Sequence, residues 1–121
     1  MTNINVKRVY SDPEGANGDG FRVFIDRLWP RGESKEKFHY DLWAKNVAPS
    51  DELRHWFHEN PDERWDEFEK RYLAELSQSP DVTLLLNEVK NHDTVTLLFS
   101  SRDEKRNNAI VLKQFLQSKL G

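Results

Sequence analysis

Two hydrophobic periods divide the chain. Near the start, "INVKRVY" alternates Ile4 and Val6 with Asn5 and Lys7, the two-residue repeat of a strand. "FRVFI" at residues 21–25 and "TVTLLF" at residues 94–99 are short continuous apolar runs instead. That pattern predicts strands buried on both faces, as in a sheet covered by helices. The intervening "SDPEGANGDG" holds Pro13 and three glycines. As a turn-rich loop, short for a crossover, it predicts an antiparallel hairpin between the first two strands.

The helical period governs much of the remainder. In "APSDELRHWF", Ser50 stands where an N-cap belongs, Asp51 and Glu52 suit the positive helix end, and Leu53, Trp56 and Phe57 share a face. "NPDERWDEFEKRYLAEL" has Asn60 as cap, Pro61 at the first helical position and Glu63 at capping-box distance. Trp65, Phe68, Tyr72 and Leu76 then recur on one stripe. "SPDVTLLLNEVKN" repeats the cap logic at Ser79 and Pro80 and fits a helix, although its β-branched start leaves a strand open. Residues 34–45 read as a loop and a short helix carrying "YDLWAKNV". A last helix is predicted from about Arg102 to Lys119, burying Val111, Leu112, Phe115, Leu116 and Leu120.

Strands alternating with helices predict a small α/β layered fold: a few-stranded, mostly parallel sheet covered by helices, with residues 1–121 forming one domain. Four Trp, seven Phe and three Tyr supply large apolar surfaces for its core. The chain has no cysteine, which excludes disulfides, thiolate nucleophiles and Cys-ligated metal centres. The opening "MTNINVKRVY" lacks an apolar signal core, and no run approaches the roughly 18 apolar residues of a membrane span. A soluble cytoplasmic protein is the expectation.

Two strands end in polar clusters. "FRVFI" runs into Asp26, Arg27, Trp29 and Arg31, and "TVTLLF" into Ser100, Ser101, Arg102 and Asp103. Ligands bind outside the carboxyl ends of parallel strands in open α/β sheets. Parallel neighbours would therefore place both clusters on one crevice. Asn107 and Asn108, expected one turn along the last helix, would reach back toward it. In this reading Arg27 and Arg31 hold an anionic or carbonyl group, and Asp26 and Asp103 orient them or act as general base or acid. The competing reading is structural: Asp26 neutralises a nearby arginine at the end of a buried strand, and Ser101 merely caps a helix. Ser101 with Glu104 has capping-box spacing, and Asp103 adds another carboxylate to the same predicted turn. Those acids would oppose a phosphate there, so an amine, an amide or a zwitterion fits more readily.

Other chemistries fare worse. His55, His58 and Glu59 lie near one helix end, where imidazoles favour the negative dipole without a metal, so no metal site is expected. The formal charge of −3, with both signs interspersed, gives no general field for nucleic acid. Three of the four tryptophans occupy core positions; Trp29, beside Pro30, is the candidate pocket wall. No catalytic-triad order, Walker loop, dinucleotide fingerprint or metalloprotease motif is present, and no cofactor is implied.

"VFIDRLWPRG", "DLWAKNVAPS", "LRHWF", "RWDEFEKRYLAEL" and "TLLFSSRDEKRNNAIVL" together resemble the short cytoplasmic branch of the bacterial domain-of-unknown-function family 488, over nearly the whole chain. The resemblance implies a compact α/β protein with a parallel sheet, in place of the hairpin. In the wider family the loop after the last core strand often carries cysteine and a Cys-His-Arg triplet; "SSRDEKRNN" stands there in this chain. That departure argues against thiol- or metal-based chemistry. Two functions follow as expectations: a domain binding a small polar or anionic molecule, with or without catalysis, and a non-catalytic interaction module that presents Trp29 and the Pro-Arg-Gly turn.

Overall fold

The computed structural model describes residues 2–15 and 18–120. Its strands are β1 (Asn3–Arg8), β2 (Phe21–Phe24), β3 (Leu42–Trp43) and β4 (Thr94–Phe99); its helices are α1 (Asp51–Glu59), α2 (Pro61–Ser77), α3 (Pro80–Val89) and α4 (Asn108–Leu120). The strands form one sheet in the order β1-β4-β2-β3, and every pairing is parallel. The predicted hairpin does not form. β4 enters between β1 and β2, with Val6 beside Leu97 on one side and Val23 beside it on the other. A local loop was the only partner information that the first two strands carried, whereas β4, remote in sequence, supplies the more apolar neighbour to both.

The helices cover one face alone. Val23 from β2, Ile25 just past its end, and Val95, Leu97 and Phe99 from β4 join Leu53, Phe57, Phe68, Tyr72, Leu85, Leu112 and Leu116 in one buried core. The opposite face is covered by irregular chain, which corrects the expectation of helices on both sides. There Phe24 and Leu98 pack with Val9 and Phe38, flanked by Trp29, Tyr40 and Trp43. Aromatic edges meet at centroid distances of 5.2 Å for Phe24–Phe38 and 5.4 Å for Trp29–Phe38. Rings of this size let loops bury a sheet face without a helix.

Arg22 is the exception on that second face. It is fully buried at 2% exposure, and its guanidinium donates to Asp19 Oδ2 at 2.6 Å and to the carbonyls of Asp12, Pro13 and His39. The buried charge is thus paired and its donors are satisfied, as burial requires. The same contacts lay the described parts of the loop before β2 over the sheet. Gly20 closes that loop at φ +65°, where a Cβ would overlap the Thr94 carbonyl, so no larger residue fits.

Capping follows the sequence closely in α1, where Ser50 Oγ accepts from the Leu53 amide at 3.2 Å and also donates to Glu75 Oε2 at 2.7 Å. In α2, Pro61 begins the helix, but the Asn60 side chain donates to Glu63 Oε2 and leaves the backbone donors uncapped. Residues 80–89 are helical, which resolves the strand alternative. The expected short helix in "YDLWAKNV" is replaced by β3 and a 3-10 turn at Lys45–Val47, because the Ala44 amide is taken by the Phe24 carbonyl of the sheet.

Phe68 lies at the centre of the helical core, 2% exposed, stacked on Phe57 at 4.3 Å and adjoining Tyr72 at 5.8 Å. Phe68→Ala is expected to cost about 3–5 kcal/mol, as large-to-small core changes do. A denaturant melt measures this directly; a loss under about 1 kcal/mol would contradict the packing described.

Candidate functional site

The parallel pairing of β2 with β4 continues past both strands. Ile25 donates its amide to the Leu98 carbonyl at 3.1 Å, and the next residues along, Asp26 and Ser100, meet. Asp26 Oδ2 accepts from the Ser100 amide at 2.8 Å, and Oδ1 accepts from Asn108 Nδ2 at 3.1 Å. The Asp26 carbonyl also accepts from the Trp43 indole N–H at 2.7 Å. One residue therefore joins the ends of β2 and β4, the start of α4 and the edge strand β3.

Around this junction opens a cleft of about 450 Å³. Asp26, Arg27, Trp29, Arg31, Ser100, Ser101, Arg102, Asn107 and Asn108 all line it. Asp103 does not. It is exposed, and its carboxylate is turned onto the backbone amides of Lys105 (2.9 Å) and Arg106 (3.0 Å). Those two donors hold its carboxyl below the usual carboxylate range.

That turn explains why α4 begins at Asn108 instead of near residue 102. An Asp side chain that captures nearby amides offers the backbone an alternative to helix. The N-cap then falls to Asn107, buried at 3% exposure, whose Oδ1 accepts from the Ile110 amide at 3.1 Å while Nδ2 donates to the Asp103 carbonyl at 2.9 Å. The predicted Ser101–Glu104 capping box is not made; Ser101 Oγ accepts from the Asp103 amide, and its carbonyl accepts from Arg8 Nε at 2.9 Å. Hence neither Asp103 nor Glu104 lines the cleft, and the expected obstacle to an anion is removed.

Residues missed in the sequence supply much of the electrostatics. Arg54 and His58, one turn apart on α1, and Arg106 in the loop before α4 also line the cleft. With Arg27, Arg31 and Arg102 this makes five arginines against one acid, Asp26, among the described lining residues. The sequence signal was present in "ELRHWFH", since Arg54 and His58 are separated by four residues and share a helix face. Nothing local indicated that this face meets the strand ends.

Among the described residues, three buried side-chain polar atoms have no hydrogen-bond partner: Arg27 Nε, Arg54 Nε and Ser100 Oγ. All three belong to residues of this one cleft. Arg27 Nη2 donates weakly to the Ala48 and Pro49 carbonyls, both at 3.4 Å, and Nε stands 3.7 Å from Asp51 Oδ1, too far for a hydrogen bond. Arg54 Nη2 reaches the same carboxylate oxygen at 3.3 Å. Asp51 thus holds the two guanidinium groups near each other without satisfying either Nε.

Trp29 forms part of the wall and is half-buried. Its indole N–H donates to the Glu33 carbonyl at 2.7 Å, and its ring packs edge-on against Phe38, Tyr40 and Trp43. Its neighbour Leu28 also lines the cleft and is 62% exposed. Among the described residues no group of three His, Asp or Glu side chains is placed to hold a metal ion, and no helix is long and apolar enough to cross a membrane.

The fold and the cleft define a class: a parallel α/β domain with an arginine-lined site at the carboxyl ends of its central strands. Comparison with known proteins gives the family. The model described as "Inactive DUF488-N3 subclade" matches residues 3–121, and the chain belongs to that family. It is similar to the uncharacterised protein Rv3073c of Mycobacterium tuberculosis strain H37Rv, at 41% identity over 118 residues covering 98% of this chain and 97% of the relative. It is also similar to the uncharacterised protein YeaO of Escherichia coli K12, at 40% identity over 116 residues covering 96% and 98%. No solved structure matches.

Two outcomes are expected from these contacts. In Asp26→Asn one carboxylate oxygen becomes an amide donor facing another donor, so the variant should lose about 1.5–3 kcal/mol in a urea melt, the worth of a charge-assisted hydrogen bond. Unchanged stability would mean that the strand ends do not depend on this clamp. The second outcome concerns pH. Partial burial, then the adjacent Arg54 and His55, hold the His58 pKa below its ordinary value of about 6.5. Below pH 6.5 the unfolded chain takes up this proton first, so His58 lowers stability as pH falls from 6.5 through its folded pKa. Thermal melts of His58→Gln should show a shallower decline over that window than the parent; parallel curves would contradict the assignment.

Proposed function

We propose that this chain is a small-molecule-binding domain whose cleft takes an oxyanion, a phosphate- or carboxylate-type group, and that it acts by binding without covalent chemistry. The observation that carries the reading is the set of three unpartnered buried groups, Arg27 Nε, Arg54 Nε and Ser100 Oγ, on a cleft lined by five arginines. Leaving such groups unpaired is costly, and an anion supplies the acceptors that they lack. Arg27 and Arg54 would take its oxygens, Ser100 would donate its hydroxyl, and Arg31 and Arg102 at the exposed rim would draw it in.

The engagement of the two candidate acids favours binding over catalysis. Both Asp26 oxygens already accept hydrogen bonds, and Asp103 points its carboxylate at its own backbone. The loop after β4 reads "SSRDEKRNN", without a cysteine, and the family's own description names an inactive subclade. The alternative interaction module would need Trp29 presented outward; its half-buried ring and internally bonded N–H make it a wall instead.

Thermal melts in phosphate or sulfate, against chloride at equal ionic strength, test the proposal. Saturable stabilisation is expected, reaching about 2.7 kcal/mol at 100 times the dissociation constant. Arg54→Gln, on the helix surface and only partly covered, should fold normally and weaken the anion at least tenfold. Equal melting in all salts, for parent and variant alike, would refute the proposal.

A further inference from the structure

We infer that the natural ligand is an amphipathic organic anion, with one anionic head and an apolar, preferably flat, body, and not an inorganic anion or a polyhydroxylated phosphate. The inference rests on the oxyanion reading of the same cleft and adds the rest of the molecule.

Size gives the first argument. At about 30 Å³ per water, the 450 Å³ cleft holds the equivalent of about fifteen waters, several times what a phosphate or carboxylate group fills. Clefts of this volume ordinarily accept an organic molecule, fixed by a few polar groups against a mainly apolar lining.

The distribution of unused polar groups gives the second. The unpartnered atoms belong to Arg27, Arg54 and Ser100. Arg31, Arg102 and His58 keep the exposed rim polar, but several other polar groups of the lining are already taken. The Tyr10 hydroxyl donates to the Arg31 carbonyl at 2.8 Å, and the Trp29 N–H is bound to Glu33. Both polar atoms of the Asn107 side chain are taken, and Arg106 is paired with Asp62 at 2.6 Å. Pro30 and Pro49 have no amide hydrogen, and the Pro49 carbonyl already faces Arg27. A sugar-like body seated against these occupied groups would lose water without regaining partners there.

Leu28 gives the third. It is 62% exposed beside the cleft and belongs to neither core, while its neighbours Trp29 and Pro30 are held in place. With the indole N–H internally bonded, the side chains of Leu28 and Trp29 offer a ligand apolar surface. An aromatic or branched aliphatic body seated there would cover Leu28 while its head meets the arginines.

Calorimetric titration separates this inference from the reading beneath it. The probes are inorganic phosphate with phenyl phosphate, and acetate with benzoate, so that each pair shares a head. At least tenfold tighter binding of the aromatic member is expected, equivalent to about 1.4 kcal/mol. Leu28→Ser changes an exposed side chain and should fold; it should remove most of that advantage and leave phosphate affinity unchanged. Arg54→Gln should weaken both members of each pair. Binding of phosphate and phenyl phosphate with equal affinity would overturn the amphipathic ligand and leave the oxyanion site standing. An aromatic advantage untouched by Leu28→Ser would overturn the placement of the body. No binding of any of the four would overturn both proposals.

Discussion

The carboxylate of Asp26 is the contact on which the site is built. At the carboxyl end of a parallel sheet the last amides and carbonyls lose their ladder partners, and each must find another or face water. Asp26 accepts the Ser100 amide with one oxygen and the Asn108 side chain with the other, and its carbonyl takes the Trp43 indole. Three partners, from β3, the end of β4 and the start of α4, are thereby fixed to one residue. The Ser100 hydroxyl has no partner there, and Arg27, which follows Asp26 directly, lines the same cleft.

Charge is distributed against the average of the chain. The molecule is net acidic, formally −3, yet its cleft is basic. Several acids are drawn off elsewhere, Asp19 to the buried Arg22, Glu75 to the start of α1 and Asp103 to its own loop, while Asp62 pairs with Arg106 and Asp51 lies beside Arg27 and Arg54 at the cleft. Such sorting concentrates positive potential where low-dielectric walls focus it, so overall charge says little about what the site attracts.

The two faces of the sheet divide the labour of support. Helices bury one face through ordinary amphipathic stripes. On the other, residues 26–41 pass from the cleft wall into the second aromatic cluster, so that Trp29 belongs to both. The wall is therefore held by packing, and displacing it would disturb four rings in mutual contact. Rigid walls bind with less ordering cost than mobile loops.

Periodicity and cap residues determined the α/β class, the helices α1 and α2, the stripe from Phe68 to Leu76 and the polar clusters that follow two apolar runs, and left residues 80–89 between helix and strand. These are local properties, set by side-chain spacing and by caps such as Ser50. Tertiary structure decided the rest. That β4 inserts between β1 and β2 depends on burial across more than seventy residues of chain, which no turn signal encodes. That α4 starts at Asn108 depends on Asp103 choosing loop amides over helical ones, a competition between two locally reasonable bonds. And Arg54 joins the cleft because α1 packs beside the ends of β2 and β4: a helix face is written in its own sequence, but what that face meets is fixed only when the whole chain closes around one core.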